Sequence, residues 1–273
     1  MSFINKFCRG IVLSIITLMS LIPFYILLLL AFSPSSRSFS SGLNLMPQLY
    51  FNNFIEAWSK SKIGVAIFNS MVITGGSVVL IVILASSAGY AIARVKNKMN
   101  IAIFNILLVC MMIPGIINTV PLYTLMNKIG GINTYWAMIL VCSCNALPFA
   151  VFLYTSFIRS LSKEIEEAAI IDGCTKFSAF WRVTFPLLKP VTSAVVIISG
   201  LGVWNNYAQA VFFLQSQSKR TIPLAISMFF QQYGAKWNLM AASAVIGVAP
   251  AIITFIIFQK YFIKGIASGG VKG

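Results

Sequence analysis

Six stretches of this chain run without a charged residue for long enough to cross a lipid bilayer. They lie within residues 10–36, 63–93, 99–127, 129–158, 190–218 and 237–259. A span needs about 20 apolar residues of helix, because each residue rises about 1.5 Å through about 30 Å of hydrocarbon. Lipid offers no partner to a backbone N–H or C=O, so a spanning segment must satisfy its own, and a helix does so. The expected fold is therefore an all-α integral membrane protein. Its single transmembrane domain covers residues 1–273, with six transmembrane helices near 11–32, 66–92, 101–126, 134–158, 188–208 and 238–260. Composition agrees: 59% of residues are apolar and 9% charged, against about 45–50% and about 25% in ordinary globular chains. The first run follows Lys6 and Arg9 as a signal peptide would. It exceeds the 7–15 residues typical of a cleaved apolar region and ends on no small-x-small site, so it reads as a retained anchor.

Orientation follows from the basic residues, which favour cytoplasmic loops. With the N-terminus in the cytoplasm, only Arg37, Lys60, Lys62, Lys128, Lys219, Arg220 and Lys236 of the 20 basic residues fall outside. Both termini are then cytoplasmic, and so is the loop between spans four and five, residues 160–187. The net charge of +15 is scattered between apolar runs and forms no stripe for a nucleic acid. Pro114 and Pro121 fall in the third span, Pro148 in the fourth and Pro250 in the sixth. Each removes a backbone bond and can kink its helix, which suits either a lined pathway or ordinary membrane packing.

The spans also restrict function. None carries Asp, Glu, His, Lys or Arg at its middle, so proton coupling has no carrier in this chain. Histidine is absent, no nucleophile has a base beside it, and no Walker-type phosphate loop occurs. The five cysteines (Cys8, Cys110, Cys142, Cys144 and Cys174) include no C-x-x-C pair, which argues against zinc. A membrane enzyme is disfavoured on these grounds. A scaffold, a channel, a sodium-coupled carrier or a pump energised from elsewhere remains open.

The acidic residues point to the last of these. Four of the five, Glu164, Glu166, Glu167 and Asp172, lie in "EIEEAAIID" within the 160–187 loop; the fifth is Glu56. Ser162 can cap a short helix whose first turn holds glutamates, where the helix dipole favours them. Helical spacing puts Ile165, Ala168, Ala169 and Asp172 on one face, shallow enough for close approach by another backbone. Gly173 permits the turn that ends it. A second short helix is expected from about Lys176 to Val183, with Phe177, Phe180 and Trp181 on one face, ended by Phe185-Pro186. An acidic, aromatic helix–turn–helix of this kind fits a partner's groove; a solvated connector resting on the membrane interface is the plainer alternative.

The stretch "EAAIIDGCTKFSAFWRVTFP" resembles the cytoplasmic loop of binding-protein-dependent ABC importer permeases. Their pattern is E-A-A, three residues, Gly, nine residues and I-x-L-P. Here it is met by Glu167, Ala168, Ala169, Gly173 and Val183-Thr184-Phe185-Pro186, with Val for Ile and Phe for Leu. "WNNYAQAVFFLQSQSKRTIPLAI" (204–226), "NNFIEAW", "NSMVIT", "AGYAIARVK", "MIPGIINTVPLY" and the ending "QKYFIKGIASGGVKG" resemble the carbohydrate-uptake, maltose-type (MalG-like) subgroup. Asn206 stands where that subgroup usually has an acid after Trp-Asn, so no role of that acid carries over.

The resemblance implies a permease subunit in the bacterial plasma (inner) membrane. It would form a heterodimer with a second homologous permease and bind two ATP-binding subunits and an extracellular solute-binding protein. ATP and magnesium would belong to the ATP-binding subunits, with no cofactor or metal in this chain. The cargo implied is a carbohydrate, an oligosaccharide in the first instance. An amino acid, a polyamine or a glycerophosphodiester is the alternative. The implied coupling residues are Glu167, Ala168, Ala169, Asp172 and Gly173, with Phe177, Phe180, Trp181 and Pro186 beside them. Candidates for the substrate path combine aromatic faces with amides and hydroxyls, as a sugar requires: Trp204, Asn205, Asn206, Tyr207, Gln209, Asn118, Thr119, Tyr123 and Asn145. An aromatic belt at a span end is the competing account of Trp204 and Tyr207.

Overall fold

Long charge-free runs become long helices wherever no proline or glycine interrupts the backbone ladder. In the computed structural model, which describes residues 3–34, 49–230 and 236–269, the order is α1 (Phe3–Ala31), α2 (Asn52–Ser61), α3 (Ile63–Arg94), α4 (Lys98–Met112), α5 (Thr119–Lys128) and α6 (Tyr135–Ser160). There follow α7 (Glu164–Ile171), α8 (Lys176–Ala179), a π-helical turn (Phe180–Thr184), α9 (Phe185–Leu187) and α10 (Lys189–Trp204). Last come α11 (Ala210–Phe213), a 3₁₀ turn (Gln217–Lys219), α12 (Ile222–Ser227) and α13 (Trp237–Gly269). No strand occurs among the described residues. Arg37 in the first outer loop, and the last four residues of the "GGVKG" ending, lie outside them.

Among the described residues, four helical segments are long and apolar enough to cross a membrane: Phe7–Ala31, Ile63–Arg94, Tyr135–Ser160 and Trp237–Ile257. The α8–α9 segment and α10, bent by 74° at Leu188, count as a fifth if taken together. The single helix expected over 101–126 is instead two, α4 and α5, separated at 113–118. Pro114 is the cause: it cannot donate to the ladder, and Ile113 before it adopts an extended conformation (φ −83°, ψ 120°). Pro148 and Pro250, by contrast, sit inside continuous helices. Pro121 is the third residue of α5, where the missing N–H has no intrahelical acceptor in any case.

By internal contacts the chain divides into two compact units, residues 1–64 with 224–249 and residues 65–223 with 250–273. In the first, Ala31, Ala57, Ala241 and Ala242 form a small buried core. Asn53 is buried beside it and holds the elements in register. Its Nδ2 donates to Ala31 O (2.8 Å) and Ser33 O (2.7 Å), and its Oδ1 accepts from Asn238 Nδ2 (2.8 Å). Substituting Asn53→Leu leaves those three groups without partners, and a buried orphan costs about 1–3 kcal/mol. The expected outcome is a clear loss of thermal stability in detergent; unchanged melting would show that water replaces the amide.

The second unit is built on α3, α6 and α10. Ile81, Ala85, Val151, Tyr154, Ile158, Leu188 and Val195 are among its buried residues. Two glycines let α3 lie against α6. A Cβ on Gly76 would sit 2.8 Å from Ile139 Cδ1, and one on Gly89 would sit 2.8 Å from Tyr154 Cβ and 3.1 Å from Thr155 N. Tyr154 is fully buried and its hydroxyl bonds the Thr192 hydroxyl at 2.9 Å, tying α6 to α10. The turn from α3 into α4 is closed by two asparagines. Asn97 Oδ1 accepts from Asn100 N (2.7 Å), while Asn100 Nδ2 donates to Ala91 O (3.0 Å) and Val95 O (2.8 Å).

Candidate functional site

Two places bring the predicted residues together. The first is the segment from α7 to α9. Ser162 Oγ accepts from Glu164 N at 3.2 Å, and Gly173 ends α7 with φ +90°. Beyond it Thr175 caps α8, its Oγ1 accepting from Ser178 N at 3.2 Å. Glu167, Ala168, Asp172, Gly173 and Pro186 are exposed. Ala169, expected on that outer face, is buried and shares the inward side with Glu166, one turn earlier. The cause is an ion pair. Arg94 Nη2 and Nε meet Glu166 Oε1 at 2.7 and 2.9 Å, and Tyr90 donates its hydroxyl to Glu166 Oε2 at 3.1 Å. This fixes the rotation of α7 about its axis and leaves Ile165, Ala168, Ile171 and Asp172 facing outward.

The aromatic face divides in the same way. Phe177 is 75% exposed, whereas Phe180 is buried, its ring 4.7 Å from Tyr90 and 4.8 Å from Trp181. Trp181 lies half-buried against Phe185 at 5.0 Å. A π turn begins at Phe180, where Phe185 N donates to Phe180 O across five residues, so from Trp181 to Phe185 the angular spacing differs from the α-helical one. The outward surface thus pairs apolar Ile171 (85% exposed) and Phe177 with the carboxylates of Glu167 and Asp172.

The second place is an open groove of about 830 Å³. Asn118 comes from the break before α5 and Thr119 from the first position of α5, Asn145 from α6, and Asn206 and Gln209 from the segment after α10. Five of the nine path candidates therefore meet, from three separate parts of the chain. Among the described residues, no charged one lines the groove. Asn206 is pre-set for it: its Nδ2 donates to Gln209 Oε1 (2.8 Å), and its Oδ1 accepts from Gln209 N (3.1 Å). Asn145 and Asn206 also line an adjoining recess of about 290 Å³, with Cys142, Ser199 and Phe149. Side-chain amides both donate and accept, so this wall matches an uncharged ligand with a hydroxyl rim.

Four candidates lie elsewhere. Trp204 lines a small apolar recess with Thr74, Gly200 and Phe255. Asn205 turns back to Leu201 O at 3.0 Å, and Tyr207 is exposed. Tyr123 accepts from Gln215 Nε2 at 3.2 Å and packs edge-on to Phe213.

The family described as "Binding-protein-dependent transport system inner membrane component" matches residues 81–268, a range that contains both places. The chain belongs to this family. It is a multi-pass permease subunit of an inner membrane and not an enzyme. The permease is 41% identical to the melibiose/raffinose/stachyose import permease protein MelC of Bacillus subtilis (strain 168), over 92% of this chain and 91% of that one. It is 35% identical to the arabinooligosaccharides transport system permease protein AraQ of Halalkalibacterium halodurans, over 94% and 93%. In fold it is similar to a chain in the crystal structure of a bacterial ABC transporter involved in the import of the acidic polysaccharide alginate. That match has a TM-score of 0.81 at 20% identity, covering 95% of this chain and 96% of the other.

The two places also contain residues that the sequence did not single out. Arg94 read as a topology charge and Glu166 as one acid among several; only the fold shows them paired, 72 positions apart. Cys110 and Cys144 line the groove beside Asn145 and Asn206 and are exposed. Their signal was weak, because isolated cysteines in apolar helices look like packing residues.

Proposed function

We propose that this permease, with a second homologous permease, forms the path for an uncharged oligosaccharide delivered by an extracellular binding protein. Two ATP-binding subunits, which hold the ATP and magnesium, drive it through the 160–187 loop. The observation that carries this reading is the groove. Asn118, Thr119, Asn145, Asn206 and Gln209 converge on it with no charge among the described residues that line it, where an amino acid, a polyamine or a phosphodiester would call for a counter-ion. Relatives that import melibiose, raffinose, stachyose and arabinooligosaccharides by name support the same class of cargo.

Six crossings fit this reading: α1, α3, the α4–α5 pair, α6, α10 with the residues just after it, and α13. An even number puts both termini on one side, and the basic residues favour the cytoplasm. Glu167, Ala168, Asp172, Gly173 and Phe177 then present the surface that meets the ATP-binding subunits.

Uptake of labelled melibiose, raffinose, stachyose, putrescine and glycine into cells lacking and regaining the gene tests the cargo. Saccharide uptake alone should return with the gene. Asn206→Leu, which removes a groove amide and its bond to Gln209, should lower that uptake about tenfold or more, since an unpaired polar contact costs about 1–3 kcal/mol. Restored uptake of putrescine or glycine instead would reject the saccharide reading.

A further inference from the structure

The loop that meets the ATP-binding subunits is tied to the end of α3 by a buried charged contact. Arg94 ends α3 and Glu166 sits in the first turn of α7, with side chains only 9% and 11% exposed. Both Arg94 nitrogens converge on Glu166 Oε1, and Arg94 Nη2 also reaches Leu161 O at 3.3 Å. Tyr90, one turn before Arg94, holds the other carboxylate oxygen and packs at a tilt against Phe180. Among the described residues this is the ion pair that links distant parts of the chain; Lys60–Glu56 joins neighbours on one helix. With two guanidinium donors on one carboxylate oxygen and the Tyr90 hydroxyl on the other, direction as well as distance is fixed.

Beyond Arg94, α3 does not slide freely. Gly89 brings its backbone against Tyr154 and Thr155 of α6, and Gly76 does the same at Ile139. Ser143 Oγ and Ser77 O, and Ser77 Oγ and Ile139 O, are 3.4 Å apart between the same helices. On its other side α6 presents Cys144, Asn145 and Pro148 to the groove. We propose that Arg94 and Glu166 are positioning residues: a strut that converts movement of α7 into movement of α3 and α6, and so reshapes the groove. Packed helices transmit such displacement because their contacts are close and discrete. Removing the pair leaves α7 able to dock and the ATP-binding subunits able to hydrolyse, while the groove no longer follows.

This inference rests on the importer reading, and native Cys144 separates the two. The whole transporter, purified with its second permease and ATP-binding subunits, is treated with a water-soluble maleimide with and without ATP and vanadate. Labelling of Cys144 is read by mass spectrometry. In the wild type the Cys144 rate should change at least about fivefold on trapping. In Glu166→Gln and Arg94→Gln it should change less than about twofold, while ATP hydrolysis stays within about twofold of wild type. The charge swap Arg94→Glu with Glu166→Arg should recover the response, which simple destabilisation would not allow. A wild-type complex that lacks ATP-binding subunits, or whose Cys144 ignores ATP, rejects the importer reading itself. A responsive wild type with equally responsive single variants overturns the strut alone. So does a pair of single variants that fail to accumulate and are not rescued by the swap, since the pair would then serve folding only.

Discussion

Gly173→Val should lower ATP-driven saccharide uptake about tenfold or more while leaving the permease in the membrane, because about 1.4 kcal/mol of misplacement is enough for that loss. The backbone there holds φ +90°, where a side chain adds about 1–2 kcal/mol of strain, more if branched at Cβ. Space is not the obstacle, since a Cβ at Gly173 would meet nothing within 4 Å. The turn itself must therefore relax, and with it the angle between α7 and α8. Gly130 provides the control. It also has positive φ (+70°) and open space around it, but it follows α5, away from the loop. Gly130→Val should cost comparable stability and leave ATP hydrolysis coupled to uptake. Equal uncoupling in the two variants would reduce Gly173 to a matter of stability.

The second large effect is expected at Gly89. Gly89→Ala places a methyl 2.8 Å from Tyr154 Cβ and 3.1 Å from the backbone nitrogen of Thr155. Neither neighbour is the end of a flexible side chain, so α3 must move off α6, and overpacking of this kind costs about 1–3 kcal/mol. Gly75→Ala, on the same helix, meets nothing within 4 Å. A fall in the temperature of half-inactivation for Gly89→Ala, with none for Gly75→Ala, would establish that the helices touch backbone to backbone. Similar behaviour of the two would mean that lipid or water separates them.

What could be read from the chain depended on whether a feature is local. Charge-free runs announce helices, since hydropathy and the absence of charge act within a single turn or two. Gly173 was legible because a positive φ at a helix end is a local demand. The motif around Glu167, Ala168 and Ala169 was likewise contiguous. The break after Met112 was harder: Pro114 was visible as a breaker, yet hydropathy continues through Ile113, Ile116 and Ile117, so a single helix looked sufficient. The split of Ala169 from Ala168 could not be read at all. It depends on Glu166 finding Arg94, a contact that no spacing along the chain reveals. The groove is similar, since Asn118, Asn145 and Asn206 meet only after α4, α6 and α10 have folded.

The π turn at Phe180–Thr184 bears on how the loop motif is spelled. A turn of this kind accommodates one more residue than an α-helical turn, which rotates everything downstream by about 100°. The nine positions between Gly173 and Val183 are therefore a phase setting as much as a length. They bring the Trp181 and Phe185 rings within 5.0 Å of each other and set Pro186 in the first turn of α9. Insertions or deletions inside this interval would be read as rotations, and a family that keeps the interval keeps an angle.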